Sequence, residues 1–250
     1  TLFRSLAWRE AADAYQAAGS TGDRVDALVQ LAEAQQALGR YQDAQRTLAE
    51  AEGAAGPDAE PARLAAIHAS LGNAYLATGP PAEARERLEQ ALALAKQAGA
   101  QALAAAVLMN LGNLHASEER YAEATQSYGE SAALAEKAGA SSLAARAYAN
   151  AARAALLLGA PPDEVRRSLV KATALAADLP ASHDLAYLLV STGRSYAKLG
   201  DLERAHALLR RAEQTAEALG DARALSYALG QLGALYEQQG RLDDALALSR

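Results

Sequence analysis

The stretch "LGNAYLATGPPAEARERLEQA", Leu71 to Ala91, decides the fold, because the chain writes it repeatedly. It returns at Leu111 as "LGNLHASEERYAEATQSYGES", at Thr192 as "TGRSYAKLGDLERAHALLRRA" and at Leu232 as "LGALYEQQGRLDDALALSR". A small residue marks the second half of each copy: Ala11, then Ala44, Ala84, Ala124, Val165, Ala205 and Ala245. Successive markers lie 33, 40, 40, 41, 40 and 40 residues apart. Four residues after each marker stands a larger group, at Tyr15, Leu48, Leu88, Tyr128, Leu169 and Leu209, with Ser249 last. Thirteen residues before the marker stands an anchor: Leu31, Leu71, Leu111, Thr192 or Leu232, and Ala151 where one residue is inserted. A fixed period in this range is the signature of a repeat architecture, in which no unit buries its own apolar face.

Turn chemistry punctuates each copy. Gly39, Gly79, Gly159, Gly200 and Gly240 are placed to close first helices in the left-handed conformation. Pro80-Pro81 and Pro161-Pro162 are placed to open second helices, where a missing N–H costs nothing. Gly99, Gly139, Pro180 and Gly220 stop the second helices. Gly72, Gly112, Gly193 and Gly233 recur inside first helices, where Gly costs about 1 kcal/mol relative to Ala; close helix contact on that face explains them. The expected fold is all-α: a right-handed α-solenoid of antiparallel helix pairs spanning 1–250 as one domain. It has a leading helix in 1–20 and repeats of about 22–58, 59–99, 100–139, 140–180, 181–220 and 221–250, the last incomplete.

These markers resemble the tetratricopeptide repeat, whose pattern is W-x2-LG-x2-Y followed by A-x3-F. Leu71, Gly72 and Tyr75 fill the first part, and Ala84, Leu88 and Ala91 the second; Thr192, Gly193, Tyr196, Ala205, Leu209 and Ala212 do so again. The period near 40 departs from the usual 34. It is similar to the long-period arrays of kinesin light chains and of bacterial regulators. A tetratricopeptide array implies a protein that binds peptides or partner proteins along its inner face.

Composition narrows the chemistry. The net charge of −6 argues against a nucleic-acid backbone binder, which needs clustered Lys and Arg. With no cysteine there is no disulfide, thiolate metal site or cysteine nucleophile. No run of about 18 apolar residues spans a membrane, and no secretory leader is visible, so the cytoplasm is the expected compartment. His68 falls in the motif's Trp slot and His115 in its Tyr slot, so both should face the core. His183 beside Asp184 reads as a helix-start cap, and His206 as a solvated residue. No two histidines have the i, i+4 spacing of a zinc-binding helix, so neither a metal, another cofactor nor a catalytic site is expected. Glu118-Glu119 and Asp243-Asp244 lie at turns, where they offset the helix dipole.

What remains is the inner face of the first helices. Asn73, Asn113, Arg153 and Arg194 stand two residues past their anchors; Asn110 and Asn150 stand one residue before theirs. Asn110 with Asn113, and Asn150 with Arg153, share one helix face at i, i+3. Amide side chains both donate to and accept from a peptide backbone, and guanidinium groups bind carboxylates bidentately. Arg146 and Lys198 extend the basic strip, with Tyr187 and Tyr227 as apolar walls. The expected ligand is a protein or extended peptide, preferably acidic. The chain is not expected to bind nucleic acid or membrane.

A second resemblance is narrower. Residues 216–250, "AEALGDARALSYALGQLGALYEQQGRLDDALALSR", are similar to the last repeats before the caspase-like domain of bacterial CHAT proteins. Ser182–Gly200 and Ala7–Leu28 also resemble that family's array. It implies the regulatory region of a larger protease whose catalytic His and Cys lie elsewhere. Two alternatives stand beside it: the ligand-sensing region of a transcription regulator or signalling ATPase, and a structural module. The structural module would self-associate through the unfinished repeat at Arg250.

Overall fold

The structure is a computed structural model that describes residues 21–56, 58–79 and 81–248. The leading helix expected in 1–20, with Ala11 and Tyr15, lies outside the described residues, as does Ser249. The described residues form twelve helices: α1 (Thr21–Ala37), α2 (Tyr41–Ala55), α3 (Pro61–Thr78), α4 (Pro81–Gln97), α5 (Gln101–Ser117), α6 (Tyr121–Lys137), α7 (Ser141–Leu158), α8 (Pro162–Ala177), α9 (His183–Lys198), α10 (Leu202–Leu219), α11 (Ala222–Gln238) and α12 (Leu242–Ala247). The all-α solenoid class expected from the repeat is the class observed. The chain divides into two compact units, one through Glu118 and one from Glu119 onward.

In the first unit, α1 pairs with α2 and α3 with α4. Each first helix also packs on the next, α1 on α3 and α3 on α5. In the second unit, α7 pairs with α8, α9 with α10 and α11 with α12, while α7, α9 and α11 pack side by side. The markers are the seams. Ala44, Ala84, Ala124, Val165 and Ala205 are fully buried, as are Leu48, Leu88, Tyr128 and Leu169 four residues on. Small residues at these seams let helix backbones approach closely, and the larger residue fills the space between pairs.

The internal glycines do the same. A methyl group at Gly72 would stand 2.6 Å from Leu88 Cδ2 on α4, and one at Gly193 would stand 2.9 Å from Leu209 Cγ on α10. In each case the leucine four residues past the marker rests on the glycine. Gly233 differs: nothing among the described residues lies within 4 Å of that position, whose partner by register is Ser249. Gly72→Ala should therefore destabilise the fold by about 1–3 kcal/mol through overpacking, despite alanine's better helix propensity. Gly129→Ala, on α6 with open space around it, should stabilise by up to about 1 kcal/mol. Urea unfolding of both variants checks the contrast.

Turns mostly follow the expected chemistry. At the end of α1, Gly39 has φ 76°, and the amide of Arg40 donates to the Gln35 carbonyl at 2.8 Å. That bond closes a Schellman motif. The same five-residue bond recurs at Asp201 and Arg241, each time behind a left-handed glycine. Two positions correct the sequence reading. Gly79 is extended, with φ −116° and ψ −179°, because Pro80 follows it and disfavours helical backbone in the preceding residue. At Glu119, in the register of those glycines, a side chain is held at φ 60°. The Glu118-Glu119 pair is accordingly not a dipole device: Glu118 accepts from Arg85 of α4, and Glu119 occupies the left-handed turn. Relieving that strain with Glu119→Gly should raise stability by about 1 kcal/mol, read as a higher urea midpoint.

Candidate partner-binding groove

First helices are enclosed on more sides than second helices. In α9, Leu185, Ala186, Leu188, Leu189, Thr192 and Tyr196 are all buried. The strip left open carries His183, Tyr187, Ser191, Arg194 and Lys198, spaced by one turn each. The corresponding strip of α7 carries Arg146, Asn150 and Arg153, and that of α11 carries Arg223 and Tyr227. Packing α7, α9 and α11 side by side sets the strips against one another around an open cavity of about 520 Å³.

Six of the expected groove residues line this one cavity: Arg146, Asn150, Arg153, Tyr187, Arg194 and Tyr227. Lys198 lies one turn beyond, in a smaller pocket of about 180 Å³ that shares Arg153 and Arg194. Asn73 on α3 and the Asn110–Asn113 pair on α5 belong to the first unit, and the cavity lining contains none of them. Asn73 is half-buried, with its Oδ1 left without a hydrogen-bond partner.

Sequence reasoning missed Arg223 and His183, which also line the cavity. Both stand four residues before a tyrosine already assigned to the groove, so one further turn of counting along the same face reaches them. Two of the other histidines also depart from expectation. His115 is half-buried rather than core, with its Nε2 3.2 Å from Arg85. His206 is half-buried and meets the Tyr236 hydroxyl at 3.0 Å rather than solvent. His68 is buried as expected, its Nδ1 3.1 Å from Arg87; burial lowers its pKa.

His183 is not a cap. The Ser182 hydroxyl caps α9 by accepting from the Leu185 amide at 3.2 Å, while the His183 ring reaches Asp221 at the start of α11. Asp221 caps α11 by accepting from the Ala224 amide at 3.0 Å. Two aromatic contacts continue this wall. His183 lies 4.6 Å from Tyr187, and Tyr187 meets Tyr227 edge-on at 5.6 Å, ring centre to ring centre.

The electrostatics of the cavity are unlike those of the remaining surface. Elsewhere most arginines meet carboxylates: Arg40 pairs with Asp43, Arg63 with Asp26, Arg87 with Glu52, and Arg241 with Asp244, whereas Arg211 donates to the Ala176 and Ala177 carbonyls. Inside the cavity only Arg146 does so, with Asp184 at 3.3 Å. Arg153 instead bonds the hydroxyl of buried Tyr128. Burial raises the Tyr128 pKa, and the Arg153 charge pulls it partly back. Arg223 bonds the Tyr227 hydroxyl, which raises its own pKa further. Arg194 has no hydrogen-bonding or ionic partner among the described residues. Guanidinium groups are weakly hydrated and present a rigid fork of donors, so an open set of them favours anions.

Helix pairs of this geometry, repeated with these seams, define a repeat scaffold, and comparison with known families identifies the repeat. Two family models, each described as tetratricopeptide repeat, match the chain. One matches residues 63–137, and the other matches residues 25–50, 186–211 and 226–250. The chain contains tetratricopeptide repeats over these residues. No curated protein matches it in sequence. Among solved structures it is similar to BtubC (BKLC) from P. vanneervenii, at 22% identity and TM-score 0.67, covering 88% of this chain and 90% of that one. It is also similar to a signal transduction ATPase with a tetratricopeptide repeat sensor from Pyrococcus horikoshii, at 17% identity and TM-score 0.71; the match covers 91% of this chain but 36% of that one. A third likeness is to a Rap protein complexed with competence and sporulation factor, at 14% identity and TM-score 0.66, covering 94% of this chain and 70% of that one. At these identities the likeness establishes the fold.

The Asp221 contact yields a pH test. The Ala224 amide first, then the His183 ring, hold the Asp221 carboxyl below its ordinary pKa. A depressed carboxylate pKa adds stability above the unfolded value of about 3.9, and that stability is lost as pH falls through the folded value. Asp221→Asn keeps an oxygen for the cap but removes the charge. Wild type should therefore melt higher than the variant near pH 6, and the gap should close as pH falls through the folded pKa of Asp221, below the unfolded value of about 3.9. Thermal melts across that range read the difference.

Proposed function

We propose that the chain is a protein-interaction array that holds an extended, acidic segment of a partner protein across α7, α9 and α11. One observation carries the reading: three guanidinium groups, of Arg153, Arg194 and Arg223, share a cavity in which the only carboxylate is already engaged by Arg146. Asn150 and Ser191 in the same lining supply backbone-directed hydrogen bonds, while Tyr187 and Tyr227 supply apolar surface. Asn73, Asn110 and Asn113 are proposed to serve as amide contacts along the first unit, and Lys198 to extend the cationic strip. The array is proposed to recognise its partner rather than to transform it.

Two finer assignments follow. The array is proposed as the regulatory region of a larger bacterial CHAT-type protease acting in the cytoplasm; the support is the likeness of residues 7–28, 182–200 and 216–250 to the repeats of such proteins. The second assignment is a sensing region of a signalling ATPase. It is supported by the similarity to the Pyrococcus horikoshii protein, whose repeat sensor is one part of a longer chain. Self-association through the last pair finds support in Leu242 and Leu246, both exposed on α12.

Selection of random peptides displayed on phage against the purified chain tests the reading. Selected sequences should be enriched in Asp and Glu, and their affinity should fall by about tenfold or more in Arg153→Ala with Arg194→Ala, since bonds to charged groups contribute about 1.5–3 kcal/mol each. Selected peptides that bind the double variant as well as wild type would sink the assignment of this groove.

A further inference from the structure

We infer that the α7–α9–α11 cavity takes a phosphorylated side chain of its partner; this rests on the reading of the groove as a partner site. The argument is one of charge and of how that charge is held. The lining contains the guanidinium groups of Arg146, Arg153, Arg194 and Arg223 and one carboxylate, Asp184, which Arg146 engages. In a protein whose net charge is −6, three cations therefore face one cavity whose single carboxylate is engaged by Arg146; Arg223 feels a further carboxylate, Asp221, which lies outside the lining.

Two of the three also lie beside phenol hydroxyls: Arg153 beside that of fully buried Tyr128, and Arg223 beside that of exposed Tyr227. A phenol hydroxyl orients a guanidinium without neutralising it, whereas every carboxylate pairing elsewhere on the surface does both. The result is a set of forked donors whose positive charge exceeds that of the carboxylates beside it.

A single Glu side chain returns one negative charge and two oxygens. A phosphate monoester brings about −1.5 to −2 at neutral pH and three acceptor oxygens, enough to engage three guanidinium groups together. The cavity, at about 520 Å³, is far larger than a phosphate and leaves room for the side chain and flanking backbone that carry it. The tyrosine pair offers that backbone an apolar wall, and Tyr227 remains 48% exposed for it. An acidic segment needs only one unpaired arginine, whereas the trio calls for a dianion.

The test is a peptide array in which each random sequence is made three times: with a central phosphoserine, phosphothreonine or phosphotyrosine, with its unmodified parent, and with Glu. The purified chain should bind the phosphorylated member of a triplet about tenfold or more tightly than the Glu member. Arg194→Gln and Arg223→Gln should each abolish that preference. Both side chains are exposed, so the variants should keep the wild-type melting profile. Equal binding of phosphorylated and Glu members would overturn this inference while leaving the acidic-segment reading intact. Binding to none of the three members would overturn both. A phosphopeptide preference that survives in both variants would also overturn the inference, because the phosphate would then sit elsewhere.

Discussion

The contact on which the structure depends is a leucine resting where a side chain is missing. Leu88 over Gly72 and Leu209 over Gly193 hold α4 against α3 and α10 against α9 at a distance no Cβ would permit. That approach makes the pair thin. Thin pairs with fully buried alanines at their seams let successive first helices within each unit touch one another, so that in the second unit the strips of α7, α9 and α11 adjoin rather than stand as separated ridges. Propensity opposes these glycines by about 1 kcal/mol each, and packing overrides it.

The surface so produced is electrically uneven. Most arginines of the described residues lie beside a carboxylate on their own or a neighbouring helix, an arrangement worth little in stability but sufficient to cancel charge locally. Around α7, α9 and α11 the cancelling partner is replaced by tyrosine hydroxyls, at Tyr128 and Tyr227. An acidic protein thereby keeps a basic recess, and its net charge says nothing about the sign of the field at that point.

Much of this was legible in the sequence because its causes are local. The seam alanines, the Pro-opened helices and most left-handed glycines follow from spacing and backbone sterics alone. The exceptions had causes outside the repeat pattern. Gly79 is extended because of its neighbour Pro80, and Glu119 carries a side chain where the pattern places glycine. In the groove, register placed Arg146, Asn150, Arg153, Tyr187, Arg194 and Tyr227 on facing strips, and the structure brings them into one cavity. The lateral contacts were not legible. His183 reaches an aspartate 38 residues away, and His206 a tyrosine 30 away. Periodicity fixes which face a residue occupies but not which neighbour on the next pair it meets.

The cavity draws its lining from three successive helix pairs. A stacked array of this kind unfolds with limited cooperativity, since each pair is stabilised only by those adjacent to it, and the outermost pairs can melt first. A ligand bridging α7, α9 and α11 would bind only when all three pairs are folded, and so would lend them a common melting transition that the empty array lacks. Occupancy of the groove thus becomes a mechanical property of the protein: a filled segment would resist pulling and proteolysis as one block, and an empty one would yield pair by pair.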